Sequence, residues 1–248
     1  MIWLIGAGNM SVDYVKVLQA QGLDFLVIGR GESSAKKFEA HTGRNVISGG
    51  LANFLATSPV LPQASIVSVG VDELADTTTI LLNYGVKKIL VEKPAGLNSA
   101  EISGLLALTQ FLKADLFVAY NRRFLSSVLE AEKIIKADGG VVSFDFEITE
   151  RGGIIENLEK PASIKANWFF ANTTHIVDLA FFLGGEPKEL AAFTAGGNHW
   201  HPRATVFSGS GVSEMGALFS YHGNWSLPGN WSLEILTASQ VLIFRPLE

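Results

Sequence analysis

The chain has 248 residues, of which 48% are hydrophobic and 17% are charged, and its formal net charge is −5. This apolar content is enough for two small packed domains or one large one, and it argues against a disordered chain. The negative charge provides no basic field for nucleic acid, and the absence of cysteine excludes disulfides and thiolate metal sites.

The N-terminal residues contain no targeting pattern. The apolar start, MIWLIGAG, follows no basic segment and is too short to cross a bilayer. We therefore expect a cytoplasmic protein that has no membrane contact and whose partners are small molecules.

The first half of the chain alternates short aliphatic runs with amphipathic stretches. The runs are continuous, which predicts strands buried on both faces at residues 2–5, 25–28, 66–69, 88–91 and 116–119. The stretches between them predict helices over residues 12–21, 33–41, 76–84 and 99–113. This alternation predicts right-handed βαβ units, so we assign residues 1–120 to a Rossmann domain with a doubly wound parallel sheet.

The pattern changes near residue 121. A predicted helix over residues 125–136 is followed by VVSFDFEI, in which apolar and polar residues alternate as in a sheet covered on one face. Further strands are predicted at residues 189–194, 204–208, 216–222, 231–237 and 241–245. Residues 121–248 thus read as an α+β domain with an open, mostly antiparallel sheet, and the whole chain as α/β.

A glycine-rich turn joins the first strand to the first helix. In the run from Gly6 to Ser11, the glycines stand where a backbone can approach a pyrophosphate and where a helix N-terminus offers unpaired N–H groups. The third glycine of the usual pattern is Ser11, which is small enough to keep the helix and strand closely packed. The predicted cofactor contacts in this turn are Gly6, Gly8, Asn9 and Met10.

The end of the second strand bears on the choice of cofactor. NAD-binding domains place an acid there for the ribose hydroxyls, whereas this chain has Gly29 and Arg30. Arginine pairs with a 2′-phosphate, and Ser33 adds a donor nearby, so we predict NADP rather than NAD. The alternative is that Arg30 is a solvated turn residue and Glu32 supplies the acid.

Lys93 stands just after the strand at residues 88–91, between Glu92 and Pro94. Ligands of open α/β sheets bind at this carboxyl edge, and the proline restricts the lysine to extended conformations or even to a cis bond. The spacing alone is equally compatible with a surface lysine before a turn.

Four segments, in their order and spacing, resemble one known family. They are GAGNM at 6–10, VEKPAGLN at 91–98, AYNRRF at 119–124 and THIVDLAFFLGG at 174–185. The family is the glucose-fructose oxidoreductase/inositol dehydrogenase family, Gfo/Idh/MocA, and Glu-Lys-Pro is its most specific mark. The resemblance implies hydride transfer between a nicotinamide and a sugar or cyclitol carbon, and a homo-oligomer formed through the open C-terminal sheet.

The same resemblance implies roles for two residues. Lys93 matches the lysine that contacts the reacting oxygen, and His175 matches the histidine that exchanges the hydroxyl proton. One departure stands out, because many members have an aspartate four residues before this histidine and this chain has Ala171. Asn172 or Asp178 is a candidate to hold the substrate in its place, or the enzyme works without that carboxylate.

The local sequence around His175 predicts a helix that stops at Gly184-Gly185. Asn172, Thr173 or Thr174 can cap its start, which would place His175 in the first turn, where the helix dipole favours neutral imidazole. Asp178, three residues on, can orient the ring. The alternative is a packed, hydrogen-bonded histidine without a chemical role.

The remaining candidates follow from the resemblance or from position. Asn121 and Arg123 are expected to touch cofactor or an anionic substrate group, although the arginine can equally tether the two domains. Further cofactor contacts are assigned to Gly70, Val71, Glu92, Lys93 and Pro94. His199 and His201 suggest a metal, but no nearby acid completes a ligand set, so we predict none.

These observations predict an NADP-dependent oxidoreductase acting on a sugar, a sugar derivative or a nucleotide sugar. The main alternative is a non-catalytic NADP-binding sensor or structural protein of the same fold. A methyltransferase is a weaker third possibility, because Glu-Lys-Pro has no role there.

Overall fold

The structure is a computed structural model that describes residues 1–226 and 228–247. The chain divides into two compact units, Met1–Ala119 and Tyr120–Glu248. No described helix is both long enough and apolar enough to span a membrane.

The first unit, whose residues are all described, contains a six-stranded parallel sheet in the order β3-β2-β1-β4-β5-β6. Its strands are β1 (Ile2–Ile5), β2 (Phe25–Ile28), β3 (Val46–Ile47), β4 (Ala64–Val67), β5 (Lys88–Val91) and β6 (Asp115–Val118). Its helices are α1 (Asn9–Ala20), α2 (Glu32–Thr42), α3 (Gly50–Ala56), α4 (Leu74–Tyr84) and α5 (Ser99–Leu112), with a 3₁₀ turn at Val71–Glu73. The order is that of a dinucleotide-binding sheet, as predicted.

The two faces of this sheet carry separate hydrophobic clusters. Trp3 and Ile5 of β1 pack into one cluster, and Leu4 between them packs into the other. Successive side chains of a strand point to opposite faces, so a continuous aliphatic run is what a sheet covered on both sides requires.

Within the described part of the second unit, six strands form a mixed sheet in the order β12-β11-β7-β10-β9-β8. They are β7 (Ser143–Glu147), β8 (Pro187–Ala195), β9 (Val206–Ser213), β10 (Leu218–Asn224), β11 (Ser232–Leu236) and β12 (Val241–Phe244). The helical segments are α6 (Ser126–Ala137), α7 (Gly152–Glu156), α8 (Ala162–Ala166) and α9 (Thr174–Gly184), a 3₁₀ turn at Asn121–Phe124 and a π-helix at Phe169–Thr173. The pairs are antiparallel except β7 with β10, which confirms the predicted sheet type.

One face of the second sheet forms the core of its unit. Phe144 and Phe146 of β7 belong to the same buried cluster as Ile176 and Leu179 of α9. Between the two phenylalanines, Asp145 points to the opposite face and is exposed. This is the predicted alternation.

Several elements differ in extent from the prediction, and some elements of the structure were not predicted. Strand β4 begins two residues earlier than predicted, and β3 and α3 were not predicted, because two strand residues give no periodic pattern. Strand β9 was predicted to stop at residue 208 but continues to Ser213. Gly211 resembles a turn residue in the sequence, yet it lies within this strand. A Cβ there would come 1.9 Å from the Glu189 carbonyl oxygen, which explains why the position is a glycine.

Candidate active site

The glycine turn between β1 and α1 lies in close contact with the end of β4. Gly6 has φ of +119°, and a Cβ there would lie 2.2 Å from the Ser68 carbonyl oxygen at the end of β4. Ser11 is fully buried, and its Oγ donates to the same carbonyl at 3.4 Å. Serine thus occupies the position of the third glycine without separating helix from strand.

The N-terminus of α1 is open to a ligand. Its N-cap, Gly8, is extended, and a Cβ there would meet nothing within 4 Å. No described side chain caps the helix, and Gly8, Asn9 and Met10 are exposed. Uncapped N–H groups at the positive end of a twelve-residue helix suit a diphosphate, so these residues fit a dinucleotide cofactor.

Arg30 lies at the end of β2 and pairs with Glu73, which ends the 3₁₀ turn Val71–Glu73 after β4. The arginine side chain is 80% exposed and that of Glu73 41%, so the pair adds little stability. The segment of Arg30 and the segment of Gly70 and Val71 therefore meet at the carboxyl edge of the sheet. Ser33 is exposed in the first turn of α2. Glu73 was not among the predicted site residues.

The Glu92-Lys93-Pro94 segment follows β5, and the Lys93–Pro94 peptide bond is cis. Lys93 is half-buried and Pro94 is buried. The Glu92 carboxylate accepts a 2.6 Å hydrogen bond from the Tyr14 hydroxyl of α1. Burial, then the bond to Glu92 and its charge, raise the pKa of Tyr14 far above the usual value, which keeps it a donor. Tyr14 was not among the predicted site residues, because the helical pattern of α1 accounts for it as a packing residue.

In the second unit, His175 lies near the start of α9 and is 8% exposed. Its ring meets Tyr120 edge-on at 6.1 Å between centroids, and Trp231 lies at 6.3 Å. His175 lies in the first turn of α9, as predicted, but the π-helix Phe169–Thr173 runs directly into this helix. The histidine therefore lies inside a longer helical run, where a terminal dipole has little effect.

The predicted helix caps make other contacts. Asn172 Nδ2 and Thr173 Oγ1 both donate to Glu150 Oε1, at 3.0 and 2.8 Å, and Thr174 Oγ1 donates to the Phe170 carbonyl oxygen. Glu150 follows β7 and is only 9% exposed. Burial raises the pKa of this carboxyl, and the hydrogen bonds from Thr173 and Asn172 oppose the effect.

Asp178 was predicted to orient the His175 ring, and the structure pairs it with Arg123. Arg123 Nε donates to Asp178 Oδ2 at 2.8 Å, and the guanidinium makes a second bond to Oδ1. The arginine also lies over the Phe182 ring, 4.7 Å from its centroid. The pair holds the 3₁₀ turn against α9, which favours a structural role for Arg123, and Asn121 of the same turn is exposed.

The two histidines that were considered as metal ligands have different surroundings. His199 is exposed and pairs with Glu156 at 3.3 Å, whereas His201 is buried and its Nδ1 contacts the Ala204 carbonyl oxygen. Among the described residues, no group of three His, Asp or Glu side chains is arranged to hold a metal ion.

Neither a protein-family model nor a curated protein matches the chain. Solved structures do match. Levoglucosan dehydrogenase in complex with NADH and levoglucosan has a TM-score of 0.78 at 18% identity, covering 98% of this chain and 72% of its own. The WlbA dehydrogenase from Bordetella pertussis in complex with NADH and UDP-GlcNAcA has 0.77 at 17%, covering 98% and 78%. The UDP-N-acetylglucosamine 3-dehydrogenase GnnA from Acidithiobacillus ferrooxidans has 0.72 at 16%, covering 97% and 74%.

The chain has the fold of the Gfo/Idh/MocA dehydrogenases. The coverage extends over nearly the whole chain, so the likeness includes both the Rossmann unit and the second sheet. At these identities the likeness establishes the fold, and the resemblance drawn from the four motifs is confirmed at that level.

Proposed function

We propose that the chain is an oxidoreductase that transfers a hydride between a nicotinamide cofactor and a CH–OH carbon of a sugar, a sugar derivative or a nucleotide sugar. One observation carries this proposal. The N-terminus of α1, which follows the Gly6 turn, is uncapped, and it lies at the carboxyl edge of the first sheet, as does Lys93. Neighbours of the same fold include complexes with NADH and a sugar or nucleotide sugar.

The bound nicotinamide would supply the hydride donor or acceptor. Oxidation of a carbinol also requires its hydroxyl proton to leave, so a second group must accept that proton. We assign this role to His175. Lys93 is assigned to the reacting oxygen, where an ammonium stabilises developing negative charge.

NADP is the proposed cofactor in preference to NAD. Arg30 is exposed at the end of β2, where a 2′-phosphate of the adenosine ribose would lie, and Ser33 is exposed nearby. Arginine binds phosphate with two parallel hydrogen bonds. The pairing with Glu73 competes with that contact.

A homo-oligomer formed through the second sheet is part of the proposal. Strand β8 is an edge strand whose nine residues are all exposed, and Leu190 and Phe193 are 54% and 69% exposed. An exposed edge strand with apolar side chains can pair with the same strand of a second copy of the chain. Light scattering on the wild type and on Phe193→Glu should give a multiple of the monomer mass for the first and a smaller mass for the second. A cytoplasmic location stays a prediction.

The alternative is a cofactor-binding sensor without turnover. The observation that favours it is Ala171, a buried alanine at the position where the resemblance implies an aspartate.

The deciding experiment combines binding and turnover. Wild type is titrated with NADPH and NADH and then assayed with oxidised cofactor and myo-inositol, levoglucosan or UDP-N-acetylglucosamine. We expect Lys93→Met and His175→Ala to lower kcat by at least about 100-fold while cofactor affinity changes little. Lys88→Met, an exposed lysine of the same strand β5, and His41→Ala, an exposed histidine, are the matched controls.

Two outcomes would contradict the proposal. If both variants keep wild-type turnover, the catalytic assignment fails. If the wild type binds NADPH tightly but turns over no sugar or polyol, the sensor is the better description.

A further inference from the structure

We propose that Glu150 is a positioning residue that fixes the direction of the His175 imidazole, because its carboxylate holds both the π-helix ahead of α9 and the ring of Trp231. The inference rests on the proposed function, which assigns the proton transfer to His175, and it adds the group that keeps this histidine in place. Glu150 was not among the residues predicted from the sequence.

The first observation is that the Glu150 carboxylate accepts hydrogen bonds from several parts of the second unit. The residue follows β7 and is 9% exposed. Asn172 Nδ2 and Thr173 Oγ1 donate to its Oε1 at 3.0 and 2.8 Å. The indole N–H groups of Trp168 and Trp231 bond to the same carboxylate, and all four bonds oppose the rise in its pKa that burial causes. A carboxylate has about four lone-pair sites, so Glu150 has partners enough to link these side chains to one another.

The second observation is where the donors lie along the chain. Trp168 is the N-cap of the π-helix Phe169–Thr173, and Thr173 is its last residue. These two residues are five positions apart, which is the hydrogen-bond spacing of a π-helix, so a single carboxylate can bond to the side chains at both ends of the turn. Glu150 therefore fastens the π turn from outside the helix.

The π turn sets the direction in which His175 points. The histidine comes two residues after Thr173, and α9 continues the helical run without a break. A π turn closes with one residue more than an α-helical turn, and each residue of an α-helix rotates by about 100° around the axis. Relaxation of the π turn to an α-helix would thus rotate His175 by about this angle relative to the residues before the turn.

Trp231 connects the same carboxylate to the imidazole from a different element. It lies just before β11, its indole N–H bonds to Glu150, and its ring centroid is 6.3 Å from that of His175. Arg122 lies over the Trp231 ring at 5.3 Å, and Tyr120 meets the imidazole edge-on at 6.1 Å. Two aromatic rings thus pack beside the imidazole, and Glu150 holds one of them.

A residue that served only stability would affect turnover independently of His175. A positioning residue acts through the histidine, so its replacement should have little further effect once the imidazole is absent. The same substitution made with and without His175 separates the two roles.

The first experiment is a double-mutant cycle on the full chain saturated with cofactor. The substrate is whichever of myo-inositol, levoglucosan and UDP-N-acetylglucosamine the wild type turns over. Glu150→Gln keeps the size of the side chain but replaces one acceptor oxygen with a donor, and it should lower kcat by at least about tenfold with KM and cofactor Kd within about twofold. In the His175→Ala background it should change the residual kcat by less than about twofold. Glu159→Gln, at an exposed glutamate, is the matched control and should have no effect in either background.

The second experiment observes the imidazole without turnover. The chain has five histidines, so the side-chain NMR signal of His175 can be assigned by its loss in His175→Ala. Glu150→Gln and Thr173→Val, which removes one donor at nearly constant size, should both shift this signal and leave that of the exposed His41 unchanged. Glu159→Gln should shift neither signal.

The outcomes separate this inference from the proposed function. If the wild type binds no nicotinamide cofactor or turns over no sugar, the proposed function fails, and the NMR experiment alone decides whether Glu150 holds the ring of His175. If turnover is found and Glu150→Gln leaves kcat unchanged, or lowers it equally in both backgrounds, the inference alone is overturned. An unchanged His175 signal in Glu150→Gln also overturns it. If Glu150→Gln does not fold, Thr173→Val takes its place in both experiments under the same criteria.

Discussion

Arg123 and Asp178 form a two-point ion pair that joins the 3₁₀ turn Asn121–Phe124 to helix α9, the helix that carries His175. The Asp178 side chain is 11% exposed and that of Arg123 37%. The aspartate is bonded through both oxygens to one guanidinium, and the pair connects the turn to the helix that carries the histidine.

Arg123→Lys should lower the free energy of unfolding by about 1–3 kcal/mol, because a lysine cannot reproduce the forked contact with Asp178. Urea unfolding followed by tryptophan fluorescence reports mainly on the second unit, which contains four of the five tryptophans. Arg151→Lys, at an exposed arginine of the same unit, is the control. Equal stability of Arg123→Lys and wild type would show that the pair is only a surface contact.

Cofactor choice should depend on Arg30 and Glu73. Arg30→Ala removes the proposed phosphate ligand and should weaken NADPH binding by about 10- to 100-fold, with a much smaller effect on NADH. Glu73→Gln removes the competing carboxylate and should strengthen NADPH binding. Fluorescence titration with both reduced cofactors measures these changes, and tighter binding of NADH than NADPH by the wild type would contradict the assignment.

Tyr14→Phe should affect Lys93 indirectly. The variant removes the 2.6 Å hydrogen bond that holds Glu92, the neighbour of Lys93, while the ring of Tyr14 stays in place. We expect kcat to fall several-fold with little change in cofactor affinity. Tyr84→Phe is the control, since the Tyr84 hydroxyl donates to the Pro59 carbonyl oxygen away from this segment. A change in cofactor Kd without a change in kcat would count against a positioning role for Tyr14.

Glu150 should give the second unit a pH-dependent stability. Burial raises its pKa above the ordinary value of 4.5, so the folded chain keeps this proton to a higher pH than the unfolded chain does. The stability due to this group is complete below pH 4.5 and is lost as the pH rises towards the raised pKa. Glu150→Gln cannot titrate there, so its stability relative to wild type should increase from pH 4 to pH 7.

Denaturant unfolding at several pH values, with Glu159→Gln in parallel, measures this difference. A constant difference between Glu150→Gln and wild type across the range would mean that the carboxyl titrates normally in the folded state.

The sequence by itself determined the class of fold and the position of the glycine turn between β1 and α1. Continuous aliphatic strands such as Ile2–Ile5 allow only a sheet covered on both faces, and the alternation in Ser143–Glu147 allows only one covered face. The glycine turn and the Glu-Lys-Pro segment were recognisable because their geometry depends on residues that are adjacent in the chain.

The partners of the site residues were decided by the tertiary structure. Tyr14 meets Glu92 across 78 positions, Arg30 meets Glu73 across 43, and Glu150 meets Thr173 across 23. No local periodicity records such pairs, since each side chain is equally compatible with solvent until the strands and helices pack. For the same reason Asp178, which is close in sequence to His175, pairs with Arg123, because packing of the 3₁₀ turn on α9 brings a guanidinium within reach.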